Sequence, residues 1–152
     1  MVKLNIGCGA DWIKHKDFIG LDSLELGQKY VVDLEKENLP LTDESIEEIR
    51  AWNILEHIAP ERVIHVLNEC HRVLKRGGIL HIKVPRAPHE NAFNDPTHKS
   101  FWTPKTFTQY LAGKSPRNAN YGIIKWDICN DGHGNYTMEI TDRQIDIKLY
   151  KR

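Results

Sequence analysis

Glycines and carboxylates stand directly after short apolar segments near the start of the chain. Gly7, Cys8 and Gly9 follow the apolar residues 2–6, and Asp22 and Asp33 each close a further short apolar segment. Glycines let a backbone pass close under a ligand and present N–H groups to it. An ionised carboxylate only accepts hydrogen bonds, so two of its oxygens can hold a ribose diol. The pattern predicts a nucleoside site, although a plain glycine turn with solvated aspartates would look the same.

A second group of residues could take a proton from a substrate. The candidates are His57, His89, Asp95 and His98. Histidine changes charge near neutral pH and is the commonest general base, and a carboxylate in a suitable environment can do the same. They follow the fourth and fifth predicted strands, the first of them at the entry to a helix and the others in a long loop. Each could equally be an ordinary structural or loop residue.

Two other chemistries are disfavoured. A dinucleotide fingerprint would need a third glycine at position 12, where the chain has Trp12, and this argues against a nicotinamide-dependent oxidoreductase. No two histidines stand four apart on one helix beside a glutamate. His65 and His71 lie on opposite sides of their predicted helix. We therefore predict no metal site.

Hydrophobic periodicity indicates alternating strands and helices. Strands are predicted at 2–6, 18–22, 30–33, 46–53 and 79–84, with a helix over 60–75 that ends at the glycines 77 and 78. For 46–53 a helix is the alternative, because Ile46 and Ile49 do not alternate strictly. A helix followed at once by a strand is typical of an α/β fold. These strands would bring the residues described above to one edge of a parallel sheet, where such folds bind ligands.

The C-terminal part has a different pattern. Residues 86–104 are predicted to form a long loop, whose aromatics could act as a lid or simply cover the core. Thr103 and Pro104 begin a helix that carries Phe107, Tyr110 and Leu111 inward. Residues 121–129 and 143–150 alternate and are predicted to pair antiparallel around a turn at 130–134.

The composition of the chain limits which binding partners and which compartment are expected. Lys plus Arg and Asp plus Glu number 21 each, so no overall field attracts nucleic acid or an anionic membrane. Three dispersed cysteines form no disulfide framework, and a reducing compartment is expected. Because there is no signal-like N-terminus and no long apolar run, we expect a cytoplasmic protein that does not span a membrane.

Five ordered motifs carry a family resemblance. They are LNIGCG at 4–9, IGLD at 19–22, VDL at 32–34 with LPL at 39–41, NILEHI at 53–58, and RVLKRGG at 72–78. Together they resemble class I S-adenosylmethionine-dependent methyltransferases, and most closely a compact subgroup of predicted methyltransferases. The resemblance covers residues 2–85 well and is weaker over 95–98 and 101–104.

The resemblance implies a cofactor, S-adenosylmethionine, and a set of residues that hold it. Gly7 and Gly9 would border its methionine part, Asp22 its ribose, and Asp33 with Leu34 its adenine. Asn53 and Leu55 would border the sulfonium. The implied set is completed by Asn5, where an acidic residue is common in the family, and Cys8.

The fold implied is α/β, a single Rossmann-like methyltransferase domain over 1–152 with a seven-stranded, mostly parallel sheet that ends in an antiparallel hairpin. Only about a dozen residues separate Gly9 from Asp22. The first helix should therefore be reduced to a turn around 11–16. We expect methyl transfer to a small-molecule acceptor, while a non-catalytic or regulatory module that keeps the fold is the alternative. The sequence predicts neither the acceptor nor an oligomeric state.

Overall fold

The computed structural model describes residues 1–113, 117–130 and 137–152, with the side chains of residues 11 and 12 left out. Its strands are β1 Lys3–Ile6, β2 Ile19–Asp22, β3 Tyr30–Val31, β4 Ile46–Trp52, β5 Leu74–Pro85, β6 Asp127–Ile128, β7 Met138–Ile140 and β8 Gln144–Tyr150. The α-helices are α1 Pro60–Val73 and α2 Arg117–Asn120; short 3-10 helices span Ala10–Lys14, Leu55–His57 and Glu90–Ala92, and a π-helix spans Thr106–Leu111.

The strands form one mixed sheet in the order β3-β2-β1-β4-β5-β8-β6, with β7 also on β8. Strands β1 to β5 pair in parallel, whereas β8 pairs antiparallel with β5, β6 and β7. The strand order reverses between β1 and β4, which is the switch point where open α/β sheets bind ligands. The predicted α/β class with an antiparallel C-terminal part is confirmed.

Within the described residues the sheet has eight strands rather than the seven implied by the resemblance, because the edge beside β8 is formed by two short strands, β6 and β7. Cys129 donates its N–H to the Lys148 carbonyl, and Lys148 donates its own to Thr137, so β6 and β7 lie end to end along β8. Residues 143–150 pair antiparallel as predicted, but of 121–129 only 127 and 128 are in a strand. Most of the predicted turn at 130–134 lies outside the described residues.

One face of the sheet carries the hydrophobic core. Register places the apolar residues of adjacent strands in rows, such as Leu4 beside Ile49 beside Leu80 beside Leu149. All four have no exposed surface. Helix α1 covers this face with a buried stripe at the predicted spacing, formed by Val66, Leu67, Cys70 and Val73.

The opposite face carries charged and aromatic side chains that pair with one another. Lys3 and Glu48 form a 2.7 Å ion pair across β1 and β4. The Arg50 guanidinium lies about 4 Å from the ring centroids of both Phe18 and Trp52. Such lateral contacts stabilise charged side chains on this face of the sheet.

Helix α1 ends two residues earlier than predicted. The chain leaves it at Leu74, which adopts extended backbone, is fully buried and pairs with Ile46 as the first residue of β5. Gly77 does have the left-handed conformation expected of a helix cap, with φ at +76°, but it lies within β5. Its N–H bonds to the Lys151 carbonyl instead of to the helix. Burial of Leu74 in the sheet thus decides where the helix stops.

Two further predictions concern the connecting segments. The shortened first helix is confirmed as the 3-10 helix Ala10–Lys14. Phe107 and Leu111 are buried as predicted, but Tyr110 is 42% exposed, so its inward placement is wrong. The segment is a π-helix whose wider turn returns Leu111, and not Tyr110, to the side of Phe107.

None of the helices within the described residues has the length and apolar character needed to span a bilayer.

Arg72 ties α1 to the loop before β4. Its guanidinium bonds both oxygens of Glu69 at 2.7 and 2.8 Å, the carbonyls of Leu39 and Leu41, and the carboxylate of Asp43. These charge-assisted bonds raise the pKa of Arg72. A planar fork of donors is required to reach all of these acceptors at once.

We expect Arg72→Lys to lower the free energy of unfolding by about 2 kcal/mol, because an ammonium cannot replace the fork and leaves carbonyls without donors. Lys75→Gln is the matched control. It removes an exposed 3.0 Å pair with Glu47 and should cost less than about 0.5 kcal/mol. Denaturant unfolding measures both, and equal losses would show that the fork has no special role.

Candidate active site

A cavity of about 130 Å³ lies at the carboxyl ends of β1 and β2, against the segments that follow β3 and β4. Five of the residues predicted from the sequence line it: Gly7, Asp22, Asp33, Leu34 and His57. Its apolar wall comes from Val32, Ile54 and Ile58 together with Leu34. The lining of the cavity therefore combines apolar side chains with carboxylates.

The two predicted glycines have different roles in the first loop. Both have positive φ, +62° at Gly7 and +57° at Gly9. A Cβ on Gly7 would lie 2.5 Å from Cγ1 and 2.7 Å from Cβ of Ile54, the branched stem of a side chain that cannot rotate away. A Cβ on Gly9 would meet no described atom within 4 Å. Gly7 lets two loops touch, while Gly9 leaves open space beside the cleft.

Asp22 ends β2 and holds the first loop in place. Its Oδ2 accepts the Gly9 N–H at 2.9 Å, and its Oδ1 accepts the Leu24 N–H at 3.1 Å. Each carboxylate oxygen has two lone pairs, so both oxygens keep capacity for a further donor. The carboxylate is thus oriented by backbone groups and still available to a ligand.

Asp33 and Glu35, by contrast, each have a lysine partner. Asp33 bonds Lys36 at 2.9 Å and accepts the Glu35 N–H, and the Lys36 bond holds the pKa of Asp33 below its usual value. The Glu35 carboxylate accepts hydrogen bonds from the Lys99 ammonium at 2.9 Å and from the Ala59 N–H at 2.7 Å. Glu35 thereby joins the segment after β3 to the start of α1 and to the long loop.

The remaining predicted cofactor residues do not line this cavity. Asn5 and Cys8 are buried at 7% exposure, and Cys8 extends the β1–β2 ladder through its N–H to Leu21. Burial and the nearby Asp22 charge raise the pKa of the Cys8 thiol. Leu55 is fully buried in the core, and Asn53 is exposed with φ at +52°. Between Asn53 and Leu55, it is Ile54 that lines the cavity, and sequence reasoning did not single it out.

The structure brings three of the four candidate bases together. The rings of His57 and His98 meet edge to face at 4.8 Å between centroids. Asp95 Oδ2 lies 3.7 Å from His98 Nε2, and Thr97 Oγ1 lies 3.0 Å from His57 Nδ1. His89 is not part of this group; its Nδ1 accepts the Asn91 N–H and caps the turn Glu90–Ala92.

Hydrogen bonds indicate which nitrogen of each ring carries the proton. His98 Nδ1 lies 3.0 Å from the Ala92 carbonyl, which can only accept, so this nitrogen carries hydrogen. Thr97 gives its one hydroxyl proton to Asp95 at 2.7 Å and must accept from His57 Nδ1. The second nitrogen of each ring is then Nε2, and that of His98 faces Asp95 Oδ2.

Glu56 completes the group and was missed from the sequence. It is 2% exposed, and its Oε2 has no hydrogen-bond partner. Burial raises the pKa of Glu56 to about 7. The only sequence signal was its place between Leu55 and His57 in the LEH string, which also suits a surface residue of a loop. We refer to Glu56, His57 and His98 below as the histidine–glutamate cluster.

Backbone bonds hold the cluster together. The Glu56 carbonyl accepts the N–H groups of Lys99 at 2.7 Å and Ser100 at 3.1 Å. Ser100 Oγ donates to the Leu55 carbonyl and accepts from the buried Trp102 indole. These bonds anchor the long loop on the segment after β4. His98 of this loop therefore lies next to His57, which lines the cleft.

The family model of the methyltransferase domain matches residues 4–82, more than half of the chain. The chain belongs to the methyltransferase-domain family. This match confirms the enzyme class predicted from the sequence, a methyltransferase that uses S-adenosylmethionine. No protein of curated function matches the chain in sequence.

Solved methyltransferases share the fold at low sequence identity. A SAM-dependent methyltransferase from Archaeoglobus fulgidus is 18% identical with a TM-score of 0.67, and the match covers 98% of this chain and 85% of that one. A SAM-dependent methyltransferase from Mesorhizobium loti is 14% identical with a TM-score of 0.64, over 99% and 90%. The 1,6-didemethyltoxoflavin-N1-methyltransferase of Burkholderia thailandensis, solved with S-adenosylhomocysteine, is 10% identical with a TM-score of 0.64, over 99% and 70%.

The two glycines give a matched pair of variants. We expect Gly7→Ala to lower the free energy of unfolding by about 2–4 kcal/mol, because left-handed strain adds to the clash with Ile54. Gly9→Ala carries the strain alone and should cost about 1–2 kcal/mol. Urea unfolding compares the two, and a Gly9→Ala variant that is the less stable would contradict the close approach of Gly7 to Ile54.

Proposed function

We propose that this methyltransferase binds S-adenosylmethionine along the cleft from Gly9 to Asp33 and methylates a small-molecule acceptor that enters at the histidine–glutamate cluster. The observation that carries the proposal is the arrangement around Asp22. A carboxylate oriented by backbone N–H groups lies between an open glycine loop and an apolar wall. Such a wall suits a nucleobase, and such a carboxylate suits a ribose.

The residues present fit the cofactor. The space over Gly9 admits a ligand where any Cβ would project into it, and the Val32, Leu34 and Ile58 side chains offer a flat apolar surface for adenine. Asp22 offers the ribose an oxygen on each side of its carboxylate. When bound, S-adenosylmethionine supplies a methyl group on a positively charged sulfur with a neutral leaving group.

The chain's own contribution is to position the reactants and to exclude water. Methyl transfer is an in-line displacement, and holding two reactants in line removes much of the barrier. The long loop supports this role because it is bound to the segment after β4 through Glu56 and Leu55. His57 lies on the cavity wall and His98 behind it, so a polar acceptor atom would meet ring nitrogens there.

The size of the acceptor is inferred from the same loop. Phe93 and Phe101 stack at 4.7 Å and are about half exposed, on the segment whose Ala92 carbonyl holds His98. An exposed aromatic pair next to polar groups is typical of a site for a small ligand with an apolar part. The Burkholderia relative, whose acceptor is a small molecule, is consistent with this proposal.

We expect Asp22→Asn to weaken S-adenosylmethionine binding at least tenfold, about 1.4 kcal/mol, because the neutral amide loses a charge-assisted acceptor. Calorimetric titration measures the affinity. Asp43→Asn is the control, since Asp43 lies on the far loop with Arg72 and should leave cofactor affinity unchanged. Equal affinity in a folded Asp22→Asn variant would remove Asp22 from the site.

Turnover is tested by incubating the chain with S-adenosylmethionine and a panel of small acceptors, with S-adenosylhomocysteine release as the readout. Release that depends on one acceptor and is lost with Asp22→Asn supports the proposal. Tight cofactor binding without release for any acceptor class would contradict small-molecule methyl transfer.

A further inference from the structure

We propose that the histidine–glutamate cluster is a binding site for a divalent transition-metal ion of the zinc type. One ligand atom from each of Glu56, His57 and His98 lies within 4.8 Å of the other two. Two imidazoles and one carboxylate are the ligand set of a zinc site that keeps a fourth position open.

The hydrogen bonds of the cluster engage Nδ1 of both rings. The Nε2 atoms are then the nitrogens that can offer a lone pair to an ion. Glu56 Oε2 is buried and has no hydrogen-bond partner. Asp95 adds a carboxylate 3.7 Å from His98 Nε2. A cation among these groups would give the buried Glu56 oxygen the partner that it lacks within the described residues.

The surroundings of the rings are those of metal ligands. A ligating histidine commonly donates its other N–H to a carbonyl or to a polar group that leads to a carboxylate, which fixes the ring. His98 does so to the Ala92 carbonyl, and His57 does so to Thr97, which itself donates to Asp95. His98 is also deeply placed, with 7% of its side chain exposed. The rings are therefore held before any ion arrives.

The donor set also selects the kind of metal. Imidazole nitrogens suit zinc and its neighbours, whereas magnesium and calcium prefer sites built from oxygen alone. Zinc–ligand distances of about 2.0–2.2 Å require the donors to approach one another more closely than they now lie. That movement is small, because the rings and the carboxylate already converge.

The site would stand at the acceptor end of the cleft, because His57 belongs both to the cluster and to the cavity wall. An open metal position there would take an oxygen or nitrogen atom of the acceptor and hold it toward the cofactor. The role of the ion in catalysis rests on the proposed function, whereas the metal site itself rests on the geometry of the cluster alone.

The test is calorimetric titration of chelator-treated protein with zinc chloride, and separately with magnesium chloride. We expect one zinc ion per chain, bound at least a hundredfold more tightly than magnesium. Glu56→Gln and His98→Gln should each weaken zinc binding at least tenfold. His89→Gln, which removes a histidine of the same loop outside the cluster, should not change zinc binding.

Glu56→Gln also separates a metal ligand from a structural residue. Because Glu56 Oε2 has no described partner, its neutral isostere should leave the unfolding temperature of the metal-free protein unchanged or higher, while the rise caused by zinc should shrink. Zinc affinity that is equal in the wild type, Glu56→Gln and His98→Gln would overturn the proposal and indicate binding elsewhere. So would magnesium binding as tight as zinc binding.

Failure of the metal site can be told apart from failure of the proposed function. Titrating S-adenosylmethionine into the same metal-free samples reports on the cleft alone. Cofactor binding that is sensitive to Asp22→Asn, together with the absence of zinc binding, would overturn the metal site and leave the cleft assignment intact.

Discussion

The geometry of the site depends on the contact between Gly7 and Ile54. Where the Gly7 Cβ would be, the structure has the branched stem of Ile54, so the loop after β1 and the segment after β4 touch directly. This contact brings the Gly9 N–H within reach of Asp22 and puts His57 on the same cavity wall. Parallel strands align their carboxyl ends, but only a residue without a side chain lets the loops that follow them close on one cleft.

The short connection after β1 has a consequence for the whole sheet. A 3-10 helix of five residues stands where a doubly wound fold has a full helix, and charged and aromatic side chains lie on the face opposite α1. Those side chains form lateral pairs: Lys3 with Glu48, and Arg50 between two aromatic rings. An alternating pattern on β4, with Ile49 and Ala51 inward and Arg50 outward, suits a sheet with one apolar and one polar face.

Local patterns predicted much of this structure. Alternating apolar residues predict β8, apolar residues at helical spacing predict α1, and the glycines predict the first loop. Each of these patterns depends on residues close in sequence. The end of α1 at Val73 depends instead on Leu74 entering the sheet, and Tyr110 depends on π-helical spacing. For the site, position after a strand predicts Gly7, Asp22, Asp33 and His57, and the family resemblance adds Leu34. The approach of His98 to Glu56 depends on backbone bonds across more than forty residues, and no periodicity reports such bonds.

The carboxylates around the cleft differ in whether they have a cationic partner, and this difference supports the proposed places of ligand binding. Asp33 has Lys36 and Glu35 has Lys99, so their charges are balanced within the chain. The partners described for the Asp22 carboxylate are two neutral backbone groups, and Glu56 Oε2 has none. A buried or half-buried carboxylate without a cation costs folding free energy, and binding of a donor or a cation recovers it. Asp22 bonds the loop that contains Gly7, and Glu56 follows Ile54 by two residues in the facing segment. The group that suits a hydroxyl donor and the group that suits a cation therefore belong to the two segments that the Gly7–Ile54 contact joins.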